Sequence, residues 1–153
     1  MKTSGFSLVE LIVVLSILAT LLGLTSIRLV NSQQKVSIDS TLQTFISDIK
    51  QQQIKAMTGD SEGRVTSDSY GAYVDSADLT HYYLFHGSYV VGDPANFKVD
   101  LPGNFQFTSG INIVFGKISG EISAAASVVV KDTTNNNTKT VQINKYGVVT
   151  GVN

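Results

Sequence analysis

Apolar residues crowd into one run near the start of this chain and afterwards thin into a repeating pattern. Residues 6–30 read FSLVELIVVLSILATLLGLTSIRLV, and Glu10 and Arg28 are the only charges among them. Residues 11–27 are uncharged and mostly Leu, Ile, Val and Ala. With 6–9 added, the run covers about 20 residues, enough to cross a ~30 Å hydrocarbon core at ~1.5 Å per helical residue. A helix buried in a soluble domain shows polar positions every third or fourth residue, and this run shows almost none. The pattern predicts a membrane-spanning helix over 6–30.

The next segment, NSQQKVSIDSTLQTFISDIKQQQIKAMT at 31–58, keeps a helical period but on one face only. Ile38, Leu42, Phe45, Ile46, Ile49 and Met57 follow i, i+3, i+4 spacing, with Ile54 slightly off the stripe. Neither Gly nor Pro occurs between Asn31 and Thr58. The segment is expected to continue the first helix, ~80 Å in all at ~1.5 Å per residue, with its apolar face on a globular core. A separate second helix after a break near 28–32 is the alternative. Gly59 is placed to end the helix as the residue after its last turn.

Beyond Gly59 the pattern changes to short runs rich in Tyr, Phe and Val, the residues that strands favour. Strands are expected at 70–74, 81–85, 88–91, 97–101, 105–107, 111–115, 122–131, 139–144 and 148–152. Turn-forming residues separate them at 92–96, 102–104, 117–120, 132–138 and 144–147. The resulting fold class is α+β: a long N-terminal helix, membrane-spanning and then amphipathic, packed on a mostly antiparallel β-sheet.

Composition narrows the function classes. The chain has 153 residues, which suits one globular domain, and 42% hydrophobic residues, which excludes disorder. Cysteine is absent, so disulfide scaffolds, thiolate zinc sites and cysteine nucleophiles are excluded. From Asp60 onward there are six basic residues against nine acidic ones, and no Lys/Arg cluster, which disfavours nucleic acid as a partner. His81 and His86, the only histidines, stand five apart in a strand-like run and face opposite sides, a poor joint metal site. Each is expected at the surface or half-buried. Asp60, Glu62, Asp68, Asp75 and Asp78 gather between 60 and 78, but without the order of a calcium loop. They read as a solvated acidic loop, with bound calcium as the alternative. Asn136-Asn137-Thr138 matches a glycosylation sequon inside an Asn/Thr-rich loop, where chance matches are common. No nucleotide-binding, hydrolase or metalloprotease motif occurs, so no catalytic residue, metal site or cofactor is expected.

Two local details separate the apolar run from an ordinary secretory signal or a plain signal anchor. No small-x-small cleavage site follows the run, and the n-region carries only Lys2. Glu10 places a carboxylate inside the span, at a cost of roughly 2.5 kcal/mol or more on insertion scales. Cutting between Gly5 and Phe6 would create an α-amine, with a pKa of about 8, at the membrane face. Glu10 would then lie one turn into the new N-terminus, where it suits the positive end of the helix dipole and can neutralise a neighbouring subunit's α-amine.

Gly5-Phe6-Ser7-Leu8-Val9-Glu10-Leu11 followed by an unbroken apolar helix resembles the class III signal of type IV pilins and type II secretion pseudopilins. The resemblance implies a leader at 1–5 and cleavage between Gly5 and Phe6 by a prepilin peptidase. It also implies N-methylation of Phe6 by the same enzyme, and Glu10 as the residue of methylation or subunit docking. The implied organisation is a filament-core helix at 6–30, its amphipathic continuation at 31–58 and a β-rich globular domain at 59–153. Implied partners are other pilin-like subunits, the inner-membrane assembly platform and membrane lipid. The implied location is the bacterial inner membrane, single-pass, with the C-terminal domain outside the cytoplasm, and then the filament. The chain departs from some pilins in having no proline in the helix. Ile113-Val114-Phe115-Gly116, Ser119-Gly120-Glu121-Ile122, Val141-Gln142-Ile143 and Tyr146-Gly147-Val148 are similar to GspH/FimT-type minor pseudopilins. The expected role is therefore a structural, non-enzymatic subunit. The alternative is a DNA-binding FimT-like minor pilin used in DNA uptake.

Overall fold

The structure is a computed structural model that describes residues 7–153, with backbone only at 22–37. The chain divides into two compact units, 1–37 and 38–153. Its single described helix, α1 (Leu8–Thr58), is 51 residues long, so no break occurs at 28–32.

Within the second unit, one face of α1 is buried. Ile38, Leu42, Phe45, Ile46, Ile49 and Ala56 are each 6% exposed or less. The face keeps helical phase beyond Ile49 through Gln52 and Ala56, not through the expected Met57, which is 50% exposed. Met57 lies about 100° around the helix from Ala56, enough to leave the buried stripe. The helix stops as expected. Gly59 adopts φ 66°, a left-handed conformation without penalty for glycine. Asp60 N donates to Lys55 O (3.0 Å) and Gly59 N to Ala56 O (3.3 Å), the paired bonds of a Schellman cap.

Eight strands follow: β1 (Tyr70–Asp75), β2 (Asp78–His86), β3 (Phe97–Asp100), β4 (Phe105–Phe107), β5 (Ile111–Phe115), β6 (Ala126–Asp132), β7 (Thr138–Ile143) and β8 (Val149–Val152). All described pairings are antiparallel. They form two four-stranded sheets instead of the one expected, in orders β3-β2-β1-β5 and β4-β6-β7-β8. Strand β5 returns to β1, with Tyr70 opposite Phe115, while β4 pairs forward to β6, with Phe105 opposite Asp132. Such non-local choices leave no signal in local alternation. One buried cluster draws on α1 and both sheets. At its centre Phe45 meets Tyr82 and Phe107 edge to face, with centroids 5.1 and 5.3 Å away.

Gly71 shows why β1 needs a residue without a side chain. A Cβ there would collide with the Ile113 backbone carbonyl of β5 and the ring of Phe85.

Two expected strands are corrected. Residues 88–91 form a loop. Tyr89 stacks on Tyr73 with centroids 3.9 Å apart and meets Phe85 at 5.8 Å, so its ring is used by packing, not by a ladder. Strand β6 begins at Ala126, not at residue 122. Ile122 N instead donates to Lys145 O, 2.9 Å away.

Candidate functional site

The candidate residues lie at the start of α1, in the first unit. Gly5 and Phe6 fall outside the described residues, so their cleavage and methylation roles have no structural counterpart here. Glu10 sits in the first turn, where a carboxylate suits the helix N-terminus. Its Oε2 accepts from Ser7 N and Ser7 Oγ, both at 3.2 Å. Glu10 N donates back to Ser7 Oγ at 3.3 Å. Leu11 N donates to Ser7 O at 3.2 Å, the first turn's backbone bond. Ser7 is therefore the N-cap and Glu10 the third helical residue of a capping box. Sequence reasoning missed Ser7, although Ser-x-x-Glu before an apolar run is the signature of this cap.

The described side chains that follow offer apolar surface on every side. Leu8, Val9, Leu11, Ile12, Val13, Val14, Leu15, Ile17, Leu18 and Leu21 are all between 49% and 74% exposed. The two hydroxyls in this stretch turn inward on their own backbone. Ser16 Oγ donates to Val13 O and Thr20 Oγ1 to Ile17 O, both at 2.8 Å. A helix that satisfies its own polar groups and exposes apolar groups all round suits a surrounding of lipid or other helices. Among the described residues, no helix is long and apolar enough to cross a membrane. The described side chains of the run cover 7–21, while the expected span at 6–30 extends past both ends of that stretch.

Residues 1–26 match the model of the prokaryotic N-terminal methylation motif. The chain carries that motif. Its matched stretch holds the Gly5-Phe6 junction, Ser7 and Glu10, and ends inside the apolar run. No curated protein and no solved structure matches the chain.

The other candidates lie in the second unit and do not come together as a site. Among the described residues no group of His, Asp or Glu could hold a metal ion. The carboxylates at 60–78 shape turns and pairs instead. Asp60 Oδ1 accepts from Glu62 N at 2.9 Å, Asp68 Oδ1 from Ser69 N at 2.7 Å, and Asp75 Oδ1 from Ala77 N at 2.9 Å. Glu62 accepts from Lys55 Nζ at 2.6 Å and from Arg64 at 2.9 Å. The Lys55 hydrogen bond holds its carboxyl below the usual range, against the opposing effect of burial. His81 is buried, at 7% exposed, rather than at the surface or half-buried. Its ring stands edge-on to Tyr83, and its Nδ1 lies 3.5 Å from Asp78 Oδ2. His86, at the end of β2, is half-buried as expected.

Proposed function

We propose that this chain is a pilin-like filament subunit, made as a precursor with a leader at 1–5. A prepilin peptidase cuts between Gly5 and Phe6 and N-methylates Phe6. The observation that carries this reading is the methylation motif over residues 1–26. The all-round apolar start of α1 supports it, because such a surface serves first lipid and then neighbouring helices. Before assembly the helix at 6–30 holds the chain in the bacterial inner membrane, with residues 59–153 outside the cytoplasm. An assembly platform then moves it into a filament of pilin-like subunits. Its role is mechanical, not catalytic.

Glu10 can cap and dock at once. Both Ser7 bonds fall on Oε2, and cleavage before Phe6 leaves the Ser7 amide intact. Oε1 then meets the α-amine of a neighbouring subunit. Within the family we read the chain as a minor subunit of GspH/FimT type, in a type II secretion pseudopilus or a type IV pilus. The support is where the motif residues fall: Ile113, Val114 and Phe115 end β5, Ser119-Gly120-Glu121-Ile122 lies outside the strands, and Val141, Gln142 and Ile143 end β7 and lead to Tyr146-Gly147-Val148. The nucleic-acid alternative gains no support from the charges. Arg64, Lys98 and Lys139 are taken by Glu62, Asp100 and Asp39, at 2.9, 2.7 and 2.9 Å.

The test is N-terminal mass analysis of the membrane and sheared-filament fractions, for wild type and Glu10→Gln. Wild type should begin at N-methylated Phe6 in both fractions. Glu10→Gln should be cut yet missing from the filament. An intact Met1 terminus in cells with active peptidase would sink the subunit reading. Normal incorporation of Glu10→Gln would remove the docking role alone.

A further inference from the structure

Ile118 stands in a conformation its side chain resists. Its φ is 69°, and Ser119 N donates to Lys117 O at 2.8 Å, which makes it the middle residue of a γ-turn of the strained hand. A β-branched residue at positive φ is an outlier, and glycine would take the same turn freely. The backbone accounts for the turn but not for the side chain. The Ile118 amide donates to Ala56 O at 2.9 Å, and a glycine amide would do the same. The side chain itself is 71% exposed. Strain held at an exposed apolar residue points to a contact made with something else.

Ile118 belongs to a larger apolar surface with Met57, Tyr146 and Val148, which are 50% to 54% exposed. Gly120 lies so close to Met57, and Gly147 to Gln53, that a Cβ on either would collide. Gln53 Nε2 then ties Gly120 O to Tyr146 O, so the surface is held rigid. Its charged neighbours along the two loops are Lys117, Lys145 and Glu121, a net positive rim. Neither lysine makes an ion pair among the described residues. A second apolar surface has the opposite charge. Val90, Val91 and Phe97 are 57% to 81% exposed, on a segment that Asn96 Nδ2 closes onto Val90 O at 2.7 Å. Asp93 lies within that segment and Asp68 lies against Gly87 just before it. Neither makes an ion pair among the described residues. Gln51 lines a groove with Ala95 and Phe97, whereas Gln53 reaches Gly120 and Tyr146. Two residues apart on a helix is about 200°, so the two surfaces lie on opposite flanks of α1.

We propose that these two surfaces dock on each other between copies of this chain, the Ile118 surface of one copy seated on the 90–97 segment of the next. Apolar centres then face each other, and Lys117 and Lys145 meet Asp68 and Asp93. Because the two surfaces differ and lie on opposite flanks, the contact is heterologous and joins copies into an open row. It lies wholly in the second unit and stands whether or not the filament reading does. The test uses full chains in a nonionic detergent with a short bismaleimide, since the chain has no native cysteine. Tyr146→Cys chains and Val91→Cys chains, each with its own tag, should cross-link to each other about tenfold faster than either does to itself. A chain with both substitutions should give a ladder of dimers, trimers and longer rows. Thr134→Cys, exposed on the β6–β7 turn, should not join Val91→Cys. Ile118→Gly in the Tyr146→Cys chain should slow cross-linking about tenfold and raise the melting temperature, because the strain is relieved. Lys117→Glu should slow it several-fold. Self-linking as fast as mixed linking overturns the proposal, as does equal linking of Thr134→Cys. So do rates indifferent to Ile118→Gly or Lys117→Glu, and so does a lower melting temperature in Ile118→Gly, which would show that the side chain serves the fold.

Discussion

Leu15 and Ile49 belong to the same helix and have opposite fates: Leu15 is 57% exposed and Ile49 is fully buried. The polar residues around them differ in the same way. In the first unit, Ser16 and Thr20 hydrogen-bond to the carbonyl three residues back. In the second, Gln53 Nε2 reaches out of the helix to Gly120 O at 3.0 Å and Tyr146 O at 2.8 Å. The first stretch asks its own chain for nothing, while the second is tied to loops far along the sequence. A helix segment is covered by its own chain only where its polar side chains and apolar stripe both point at that chain. Where apolar groups face every side, the cover has to come from outside.

The largest effect should come from cutting between these regions at different points. A chain starting at Asn31 keeps the buried stripe from Ile38 to Ala56 and should be soluble and folded. A chain starting at Gly59 loses six buried apolar residues of α1 and exposes the faces they cover. Thermal melts and size-exclusion profiles should show a cooperative monomer for the first and aggregates for the second. Equal stability of the two would break the distinction at its root.

Single substitutions sharpen it. Phe45→Ala should lower unfolding free energy by about 3–5 kcal/mol in denaturant titration, since Phe45 is 1% exposed and sits between two rings. Leu15→Ala should leave that titration within about 0.5 kcal/mol of wild type, as expected of an uncovered position. It should instead reduce recovery in sheared filaments.

How far the sequence led follows from the same contrast. The stripe from Ile38 to Ile49 was legible because apolar residues alone mark it. Its continuation was not, since Gln52 is polar and Ala56 small, and Met57 drew the eye to the wrong face. The hairpin of β6 and β7 was legible from the Val128-Val129-Val130 run on one side of an Asn-rich turn and from Val141 and Ile143 alternating with polar neighbours on the other. Residues 88–91 misled because Tyr89 has a strand-forming side chain that the aromatic face of the first sheet takes instead. The division into two sheets rests on β5 returning to β1, a pairing with no local trace. At the candidate site Glu10 stood out as a charge among apolar residues. Ser7 did not, because a serine is ordinary until its spacing to Glu10 is read as a cap.

A smaller effect should appear with pH, in the second unit only. Asp132 is buried at the base of the β6–β7 turn. Burial pushes its carboxyl upward, but bonds from Thr134 N (2.8 Å) and Asn135 Nδ2 (3.0 Å) outweigh this and hold it below the usual value. A depressed folded-state pKa gives stability that is present above the unfolded value of about 3.9 and lost as pH falls below it. Melting temperature should therefore fall with acid between pH 5 and 3, more steeply in wild type than in Asp132→Asn. Identical slopes would show that the turn does not depend on this charge.

The central claim is that the start of α1 is covered by something other than its own chain. The absence of native cysteine allows a direct measurement. Leu15→Cys and Val65→Cys chains are exposed in whole cells to a small water-soluble maleimide that reaches the cell surface, and labelling rates are compared. On geometry alone the two should label within roughly a factor of two, since Leu15 is 57% exposed and Val65 102%. The account predicts rapid labelling at Val65→Cys and none at Leu15→Cys until the cells are dissolved in detergent and the chain unfolded. Comparable rates at the two positions in intact cells would contradict it.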